Sequence, residues 1–348
     1  MGPIRILVVD DSAFLRLTLS RRLALQPDFE VVGAARDGSE AISQVQKLSP
    51  DVVTMDVEMP GMDGLEALTR IMALRPTPVI MVSSLTQEGT ETTVRALTRG
   101  AVDFIAKPSR TSGMQEMVEA LAGKIRHAAQ ARVQRAPILT APAAGARPAK
   151  AMLRPLLSGD LVIAVGSSTG GPGALRHLMR ALPATLDAAV VLVQHMPPGF
   201  TRSLADRLDE ESAWSVKEAS SGDRLLVGQA LLAPGDYHLI VERDGRVMLT
   251  QAPPENNVRP AVDVTFRSLA AAYGSRVLGV ILTGMGRDGT EGARLIRQAG
   301  GQVIVEDEST CAVFGMPRSA IEAGVASHVA PLPHISGLIH QLLGGAKA

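Results

Sequence analysis

Strand-like apolar runs alternate with amphipathic helical patterns along most of this 348-residue chain, and this alternation constrains the fold more than any other feature. Such an order builds parallel sheets with helices packed on their faces. The alternation stops once, between Ala120 and Gly159, where the chain contains no Asp or Glu. Four prolines in that stretch prevent a long helix in its second half. We therefore predict two α/β domains, 1–122 and 158–348, joined by a linker at 123–157.

The first domain contains five strand-like runs, each followed by a helical pattern. The predicted strands are Ile4–Val9, Val31–Ala35, Val52–Met55, Pro78–Val82 and Asp103–Ile105. The predicted helices are Ser12–Leu25, Gly38–Leu48, Gly64–Leu74, Glu88–Arg99 and a fifth that begins near Met114. Five βα units predict a doubly wound, flavodoxin-like parallel sheet, in which ligands collect beyond the carboxyl ends of the strands.

The second domain resumes the alternation. Its predicted strands are Leu161–Val165, Ala189–Gln194, Val277–Thr283 and Gln302–Val305. Its predicted helices are Gly173–Ala181, Phe200–Leu208, Thr290–Ala299 and Arg318–Ala323. Three shorter runs predict further strands, at Leu231–Ala233, His238–Glu242 and Arg246–Thr250. The Asp-Gly pair at 244–245 indicates a hairpin. This half is therefore predicted to be a doubly wound, mostly parallel α/β domain with a small antiparallel insertion.

The composition argues against several classes of protein. Lys plus Arg and Asp plus Glu both number 35, so the net charge is zero and gives no overall attraction to nucleic acid or anionic membranes. One cysteine excludes an intramolecular disulfide framework and favours the reducing cytoplasm. We expect no membrane insertion, because no run of about 18 uninterrupted apolar residues occurs.

Carboxylates follow two strands of the first predicted sheet. Asp10 and Asp11 come directly after the first strand, and Asp56 follows the third. The carboxyl ends of these strands meet at one edge of the sheet, so the three side chains are expected to converge. Clustered carboxylates repel one another unless a hard cation lies among them, and oxygen ligands suit Mg²⁺. Alternatively, an aspartate of the first pair caps the first helix.

These positions, with residues on the last two strands, resemble a two-component receiver domain. The matching residues are Asp10, Asp11, Asp56, Ser83, Phe104 and Lys107. The resemblance implies that Asp56 accepts a phosphoryl group from a histidine kinase. It implies that Mg²⁺ is held by the three aspartates and the backbone carbonyl of Glu58. Ser83 would hydrogen-bond the phosphoryl oxygen, Lys107 would neutralise it, and Phe104 would be the aromatic switch residue.

Two glycine-rich segments follow strands of the second domain. Residues 166–171 (Gly-Ser-Ser-Thr-Gly-Gly) match the G-x-S-x-G pattern of a nucleophile elbow, with Ser168 as the nucleophile. An ordinary strand–loop–helix connection with a Ser or Thr cap fits the same letters. Residues 284–289 match G-x-G-x-x-G, and acidic residues at 306–308 lie where a dinucleotide site needs them. Against nucleotide binding, Asp288 lies inside that loop and would repel a pyrophosphate.

A serine nucleophile needs a base and a carboxylate that orients the base. His195 directly follows one strand, and Asp288 lies in the loop after another, so both can meet Ser168 above one sheet edge. The order Ser, His, acid differs from that of α/β-hydrolases. His177 falls in a helical pattern and is expected to be a surface or packing residue, whereas spacing alone does not dismiss His238.

Four motifs in the second domain, behind the receiver-like domain, resemble the chemotaxis protein-glutamate methylesterase family, CheB. They are 166–171, Gln-His-Met-Pro-Pro-Gly-Phe at 194–200, Thr-Gly-Met-Gly-x-Asp-Gly at 283–289, and Phe-Gly-Met-Pro at 314–317. The resemblance implies that Ser168 is the nucleophile, His195 the general base and acid, and Asp288 the orienting carboxylate. Thr169 and Met285 would form the oxyanion hole.

The resemblance further implies a serine hydrolase, activated by phosphorylation, that demethylates glutamyl esters and deamidates glutamines. Its partners would be methyl-accepting chemotaxis receptors and a histidine kinase of the chemotaxis type. The catalytic domain would need no metal or other cofactor, and Mg²⁺ would serve the receiver alone. Arg287 and Val258 depart from the residues common in the family, Asn and His, which leaves receptor choice open. A catalytically silent, receiver-regulated scaffold and a nucleotide-binding or DNA-binding output remain as alternatives.

Overall fold

The computed structural model describes residues 2–84, 86–108, 113–131, 149–183 and 185–344. These residues form two compact units, one up to residue 131 and one from residue 149. Part of the predicted linker, 132–148, lies outside the described residues.

The N-terminal unit is a five-stranded parallel sheet with a helix after each strand. Its strands are β1 (Ile4–Val9), β2 (Phe29–Ala35), β3 (Val52–Asp56), β4 (Val79–Ser83) and β5 (Asp103–Ala106). Its helices are α1 (Ala13–Leu23), α2 (Gly38–Leu48), α3 (Gly64–Leu74), α4 (Gln87–Leu97) and α5 (Met114–Ala128). The strand order is β2-β1-β3-β4-β5, which confirms the predicted doubly wound sheet.

Side-chain caps begin four helices of this unit. The capping residues are Ser12, Asp37, Asp63 and Thr86, each of which accepts a hydrogen bond from a backbone N–H three residues later. Such caps satisfy donors that the first helical turn leaves unpaired. Because Ser12 caps α1, neither Asp10 nor Asp11 is needed for that role, and both remain available to the crevice at the sheet edge.

The C-terminal unit is built on a seven-stranded parallel sheet in the order β16-β15-β14-β7-β8-β11-β9. The strands of this unit are β6 (Arg154–Pro155), β7 (Leu161–Ser167), β8 (Ala188–Gln194), β9 (Ser215–Glu218), β10 (Leu226–Val227), β11 (Gln229–Leu232), β12 (His238–Val241), β13 (Val247–Thr250), β14 (Val277–Ile281), β15 (Gln302–Glu306) and β16 (His328–Ala330). Its helices are α6 (Gly171–Ala181), α7 (Phe200–Glu211), α8 (Val262–Tyr273), α9 (Thr290–Gln298), α10 (Met316–Glu322) and α11 (Leu332–Gly344).

The predicted antiparallel insertion is confirmed for one hairpin. Strands β12 and β13 pair antiparallel around the Asp-Gly turn at 244–245. The short strand predicted at Leu231–Ala233 does not belong to this insertion. It is part of β11, which pairs parallel with β8 and β9 in the main sheet. All four residues of β11 are buried, as expected for a strand covered on both faces.

Helix α8 was not predicted, and it matters because its first turn reaches the candidate site. It begins two residues after Pro260 with Val262, Asp263, Val264 and Thr265. Three of these four residues, the two valines and the threonine, are β-branched and favour strands locally. The helix is held by burial of its apolar side against the sheet, including Phe266 and Leu269, both fully buried. Tertiary packing therefore overrides local propensity here.

The ordered units extend beyond the predicted domain boundaries. Helix α5 continues to Ala128, past the predicted end of the first domain at 122. On the other side of the linker, Lys150 Nζ donates to the Asp209 carboxylate over 2.8 Å, and Ala151 N–H donates to Ala213 O over 2.8 Å. The segment from 149 to 157 therefore packs on the C-terminal unit. No helix in the described part of the chain combines the length and apolarity that crossing a membrane requires.

Candidate active site

Ser168 and His195 lie at the carboxyl edge of the seven-stranded sheet, on neighbouring strands. They directly follow Ser167 and Gln194, which are register partners on β7 and β8. His195 N–H donates to Ser167 O over 3.1 Å. On the opposite side, Ser168 N–H donates to Thr283 O over 3.0 Å. The backbone of Ser168, the predicted nucleophile, is therefore tied to both flanking strand ends, and the structure places it on the strand end next to that of His195.

His195 is oriented by Asp288. Its Nε2–H donates to Asp288 Oδ2 over 2.7 Å, and both side chains are largely buried. With the proton on Nε2, Nδ1 keeps its lone pair and is the nitrogen able to accept a proton. The Ser168 hydroxyl forms no hydrogen bond with any described residue; contacts between such a hydroxyl and its base tighten as substrate binds.

The Asp288 carboxylate is held by four hydrogen bonds. Besides His195, it accepts from the backbone N–H groups of Val262 at 2.6 Å and Asp263 at 3.1 Å, in the first turn of α8. Burial alone raises the pKa of Asp288, but the hydrogen bond from His195 and these backbone donors outweigh it and lower the pKa below its usual range. A helix N-terminus favours negative charge, so Asp288 stays ionised beside the imidazole.

Two further residues at the site were missed by sequence reasoning. Asn256 Nδ2 donates to both Asp288 Oδ1 and Asp263 Oδ2, each over 2.9 Å. Asn256 and Asn257 both have positive φ, near 54° and 62°, in a tight turn that Asn tolerates well. Burial and the charge of Asp288 raise the pKa of Asp263 to about 6. The Asn-Asn pair was visible as a turn signal, but its link to Asp288 needs the tertiary fold.

The predicted oxyanion segment passes directly beside Ser168. A Cβ on Gly284 would lie 2.8 Å from Ser168 Cβ, and a Cβ on Gly315 would lie 3.0 Å from Gly286 N. Only glycine fits these approaches. Met285, between the two loop glycines, is 47% exposed. Thr169 is fixed through its carbonyl, which accepts from Thr283 Oγ1 over 3.0 Å.

A buried carboxyl supports this segment from behind. Glu306 is fully buried at the end of β15 and accepts hydrogen bonds from Thr283 N–H at 2.8 Å and Thr310 Oγ1 at 3.0 Å. Burial raises the pKa of Glu306 to about 7. Cys311, also buried, has a thiol pKa raised by burial, which suits a core residue and not a nucleophile.

Neither of the other two histidines considered lies in this cluster. His238 is buried, accepts from Ala261 N–H through Nδ1 at 3.2 Å, and donates to Pro253 O through Nε2 at 3.1 Å. Both ring nitrogens therefore hold backbone in the loop that precedes α8. His177 lies on α6, where burial lowers its pKa.

A second cluster lies at the carboxyl edge of the N-terminal sheet. Ligand oxygens of Asp10, Asp11 and Asp56 fall within 4.8 Å of one another. Lys107 Nζ lies 2.7 Å from Asp56 Oδ2 and 3.2 Å from Asp10 Oδ2. Burial is the main reason that the pKa of Asp10 is raised and that the pKa of Asp56 is raised to about 6. The predicted acidic crevice therefore forms, with the lysine in it.

The remaining receiver positions lie around this crevice. Glu58 N–H lies 3.4 Å from Asp56 Oδ1, which places its backbone next to the cluster. The Ser83 hydroxyl donates to Ser84 O at 3.0 Å and to Gly89 O at 3.1 Å, at the start of α4. Ser84 Oγ instead donates to Glu58 Oε1 at 3.1 Å. Phe104 is buried on β5.

The acidic cluster has the donor chemistry that Mg²⁺ prefers. It offers carboxylate oxygens from β1 and β3, and Asp10 Oδ2 is buried without a hydrogen bond although it lies near Lys107. Burial raises the pKa of Asp10 and Asp56 despite the neighbouring Lys107, so additional positive charge in the crevice would favour their ionised forms. These residues therefore fit a hard divalent cation.

Comparison with known proteins identifies the family of each domain. Residues 163–339 match the family described as CheB methylesterase, and residues 6–119 match the response regulator receiver domain. A protein-glutamate methylesterase/protein-glutamine glutaminase of Symbiobacterium thermophilum is 51% identical, with 98% of each chain covered. A Pseudomonas aeruginosa protein-glutamate methylesterase/protein-glutamine glutaminase 2 is 49% identical, with 97% of each chain covered.

The fold agrees as well. The crystal structure of the Thermotoga maritima CheB methylesterase catalytic domain matches with a TM-score of 0.51 at 48% sequence identity, and covers 53% of this chain and 98% of that one. The similarity in sequence extends over both units and the segment between them. The chain therefore belongs to the CheB methylesterase family and carries a response regulator receiver domain before its methylesterase domain.

Proposed function

We propose that this protein is a serine hydrolase that removes methyl groups from glutamyl methyl esters, and ammonia from glutamines, on chemoreceptors. The observation that carries the proposal is the position of Ser168 beside His195, whose Nε2–H donates to Asp288 over 2.7 Å. This arrangement supplies the three roles of a hydrolytic triad on neighbouring strand ends. The names of close relatives give the substrate class.

The chemistry follows from the orientation of the imidazole. Ser168 Oγ attacks the ester carbonyl carbon while His195 Nδ1 takes its proton, and the ionised Asp288 stabilises the imidazolium that forms. The tetrahedral oxyanion is stabilised by backbone N–H groups at Met285 and Thr169, beside the nucleophile. Collapse breaks the carbon–oxygen bond, and His195 returns the proton to the departing methoxide, which leaves as methanol.

Water resolves the acyl-enzyme by the same route in reverse. His195 takes a proton from water, the hydroxide attacks the acyl carbon, and Ser168 leaves as an alcohol with the proton from His195. The products are a glutamate side chain and free enzyme. With a glutamine substrate the leaving group is ammonia. This sequence uses only residues of the chain and water.

Phosphorylation of Asp56 in the N-terminal unit would regulate this activity. Asp56 Oδ atoms lie in a crevice with Lys107, which can neutralise phosphoryl oxygens. Asp10, Asp11, Asp56 and the Glu58 carbonyl would hold Mg²⁺, which when bound offsets phosphoryl charge. A histidine kinase of the chemotaxis type would be the phosphodonor. We place the protein in the cytoplasm, where a reduced, buried Cys311 is stable.

Methanol release from a methylated chemoreceptor preparation tests the proposal. We expect Ser168→Ala in the full-length, phosphorylated protein to lower kcat by about 10³-fold or more, because the nucleophile is lost. Cys311→Ala is the matched control, since it removes a buried thiol that is not expected to act as the nucleophile. Methanol release by Ser168→Ala at the wild-type rate would refute the proposal. A folded wild-type protein that releases no methanol would favour the silent scaffold.

A further inference from the structure

A buried amide connects the two strand ends that carry the nucleophile and the base. Gln194 is the last residue of β8 and is 2% exposed. Its Nε2 donates to Ser168 O over 2.8 Å and to His195 O over 3.2 Å. Its Oε1 accepts from the Ser167 hydroxyl over 2.7 Å. One side chain therefore holds the backbone carbonyls of both candidate catalytic residues.

The hydrogen-bonding pattern leaves this amide a single orientation. Both protons on Nε2 face carbonyl oxygens, which can only accept, and Oε1 faces a hydroxyl that can donate. Rotating the amide by 180° would place Oε1 against two carbonyl oxygens and leave buried polar groups unsatisfied. A carboxylate of the same shape has no N–H to offer, and an apolar side chain offers nothing. The position thus needs an amide and not merely a side chain of this size.

The surroundings leave this amide little room to move. A Cβ on Gly171, the first residue of α6, would overlap Gln194 Oε1 and would lie 2.9 Å from Ser167 Oγ. Ser168 N–H is held on the other side by Thr283 O at 3.0 Å. The Ser168 backbone is thus fixed through its N–H by the loop after β14, and through its carbonyl by two donors, the Gln194 amide and the Gly171 N–H, which lies 2.8 Å away. Of these donors to Ser168, the Gln194 amide is the one that also hydrogen-bonds to the His195 carbonyl.

We propose that Gln194 is a positioning residue that sets the separation and orientation of Ser168 relative to His195. The inference rests on the proposed function, because it assumes that these two residues react together. Displacing a reacting group by about 1 Å can lower a rate by about 10²-fold even when the substituted residue is remote from the chemistry. The loss should fall on kcat, since Gln194 is buried beneath the site and does not reach substrate.

The test compares two substitutions in the same buried cluster in the full-length, phosphorylated protein. Gln194→Met removes both bonds to the catalytic carbonyls and keeps the volume. Ser167→Ala, the matched control, removes only the donor to Oε1 and leaves those two bonds in place. We expect Gln194→Met to lower kcat for methanol release between 10-fold and about 100-fold, with KM within threefold. For Ser167→Ala, both kcat and KM should stay within threefold of the wild-type values. Labelling of Ser168 by a fluorophosphonate should slow in parallel with kcat.

The outcomes separate this inference from the proposed function. If Ser168→Ala is inactive while Gln194→Met keeps wild-type kcat and labelling rate, Gln194 does not position the pair. If Ser167→Ala loses as much kcat as Gln194→Met, general packing of the cluster is responsible and the inference is overturned. If Ser168→Ala is active, the proposed function itself fails. If Gln194→Met does not fold, Gln194→Glu replaces it in every comparison. This variant keeps the shape of the side chain and can still accept a hydrogen bond from Ser167, but it lacks the amide N–H groups that bond to Ser168 and His195.

Discussion

The buried carboxyl of Glu306 makes the stability of the catalytic unit depend on pH. It is fully buried at the end of β15, with one backbone donor, Thr283 N–H, and one hydroxyl donor, Thr310 Oγ1. These two hydrogen bonds do not compensate for the loss of hydration, and burial raises the pKa of Glu306 to about 7. The substitution Glu306→Gln removes the titration while it keeps the shape and an acceptor for Thr283 N–H.

The direction and the size of the effect follow from the pKa. In the unfolded chain the carboxyl ionises near 4.5, whereas in the folded protein it holds its proton until about pH 7. The folded state therefore binds more protons between these values, and its stability falls as pH rises through this window. With about 1.4 kcal/mol for each pKa unit, the ionised carboxyl costs roughly 3 kcal/mol above pH 7. Below pH 4.5 both states are protonated, and this cost is absent.

Urea unfolding followed by tryptophan fluorescence measures this difference. Trp214 is the single tryptophan of the chain and is fully buried in the C-terminal unit, so its signal reports that unit. We expect the free energy of unfolding of Glu306→Gln, relative to wild type, to rise by roughly 3 kcal/mol from pH 4.5 to pH 8. Glu308→Gln, an exposed residue of the same loop, controls for the loss of one charge. A difference between Glu306→Gln and wild type that stays constant over this range would refute the reasoning.

Three further outcomes are expected. Asn256→Ala should lower kcat for methanol release about tenfold, because it removes one donor to the triad carboxylate. Asn257 lies in the same turn but bonds to neither carboxylate, so Asn257→Ala should leave kcat unchanged. Equal losses of kcat in the two variants would contradict a specific role for Asn256. Gly284→Ala should lower kcat by more than about tenfold, because its Cβ would press on Ser168 and shift the oxyanion segment; wild-type kcat in a folded variant would contradict it. Asp10→Asn should weaken Mg²⁺ binding, so that the Mg²⁺ concentration needed for half-maximal phosphorylation by a small phosphodonor rises at least about tenfold. A Mg²⁺ titration measures this concentration, and an unchanged value would count against Asp10 as a ligand.

Most central strands and most helices could be predicted, because buried parallel strands are continuous apolar runs and the helices are amphipathic. The short or edge strands β6, β9, β10 and β16 and the helices α8 and α11 were not predicted. Strand β1 and helices α2 and α3 have the predicted bounds. The edge of a parallel sheet that carries ligands then follows from strand direction, so Asp56, Ser168 and His195 could be placed at strand ends. Local order alone carries this information, since Asp56 ends β3 and Ser168 and His195 directly follow β7 and β8.

Other features were not accessible from local patterns. Helix α8 begins with residues that favour strands, and β11 joins the main sheet although its position just before two hairpin-forming runs favoured an insertion. Both outcomes depend on burial against distant segments, which a window of neighbouring residues does not contain. The same reason hid Asn256, which meets Asp288 only because the loop before α8 folds over the site.

The sequence by itself determined which candidate groups the chain brings to its sheet edges: a serine and a histidine at strand ends and a carboxylate in the loop after a third strand, and clustered aspartates with a lysine at the edge of another sheet. Only the tertiary structure decided how these groups are held. It directs His195 Nε2 to Asp288, sets that carboxylate on the first turn of α8, and uses the Gln194 amide to join two strand ends. The physical reason is that hydrogen bonds act over about 3 Å in space, whereas the residues that form them are separated by long stretches of chain.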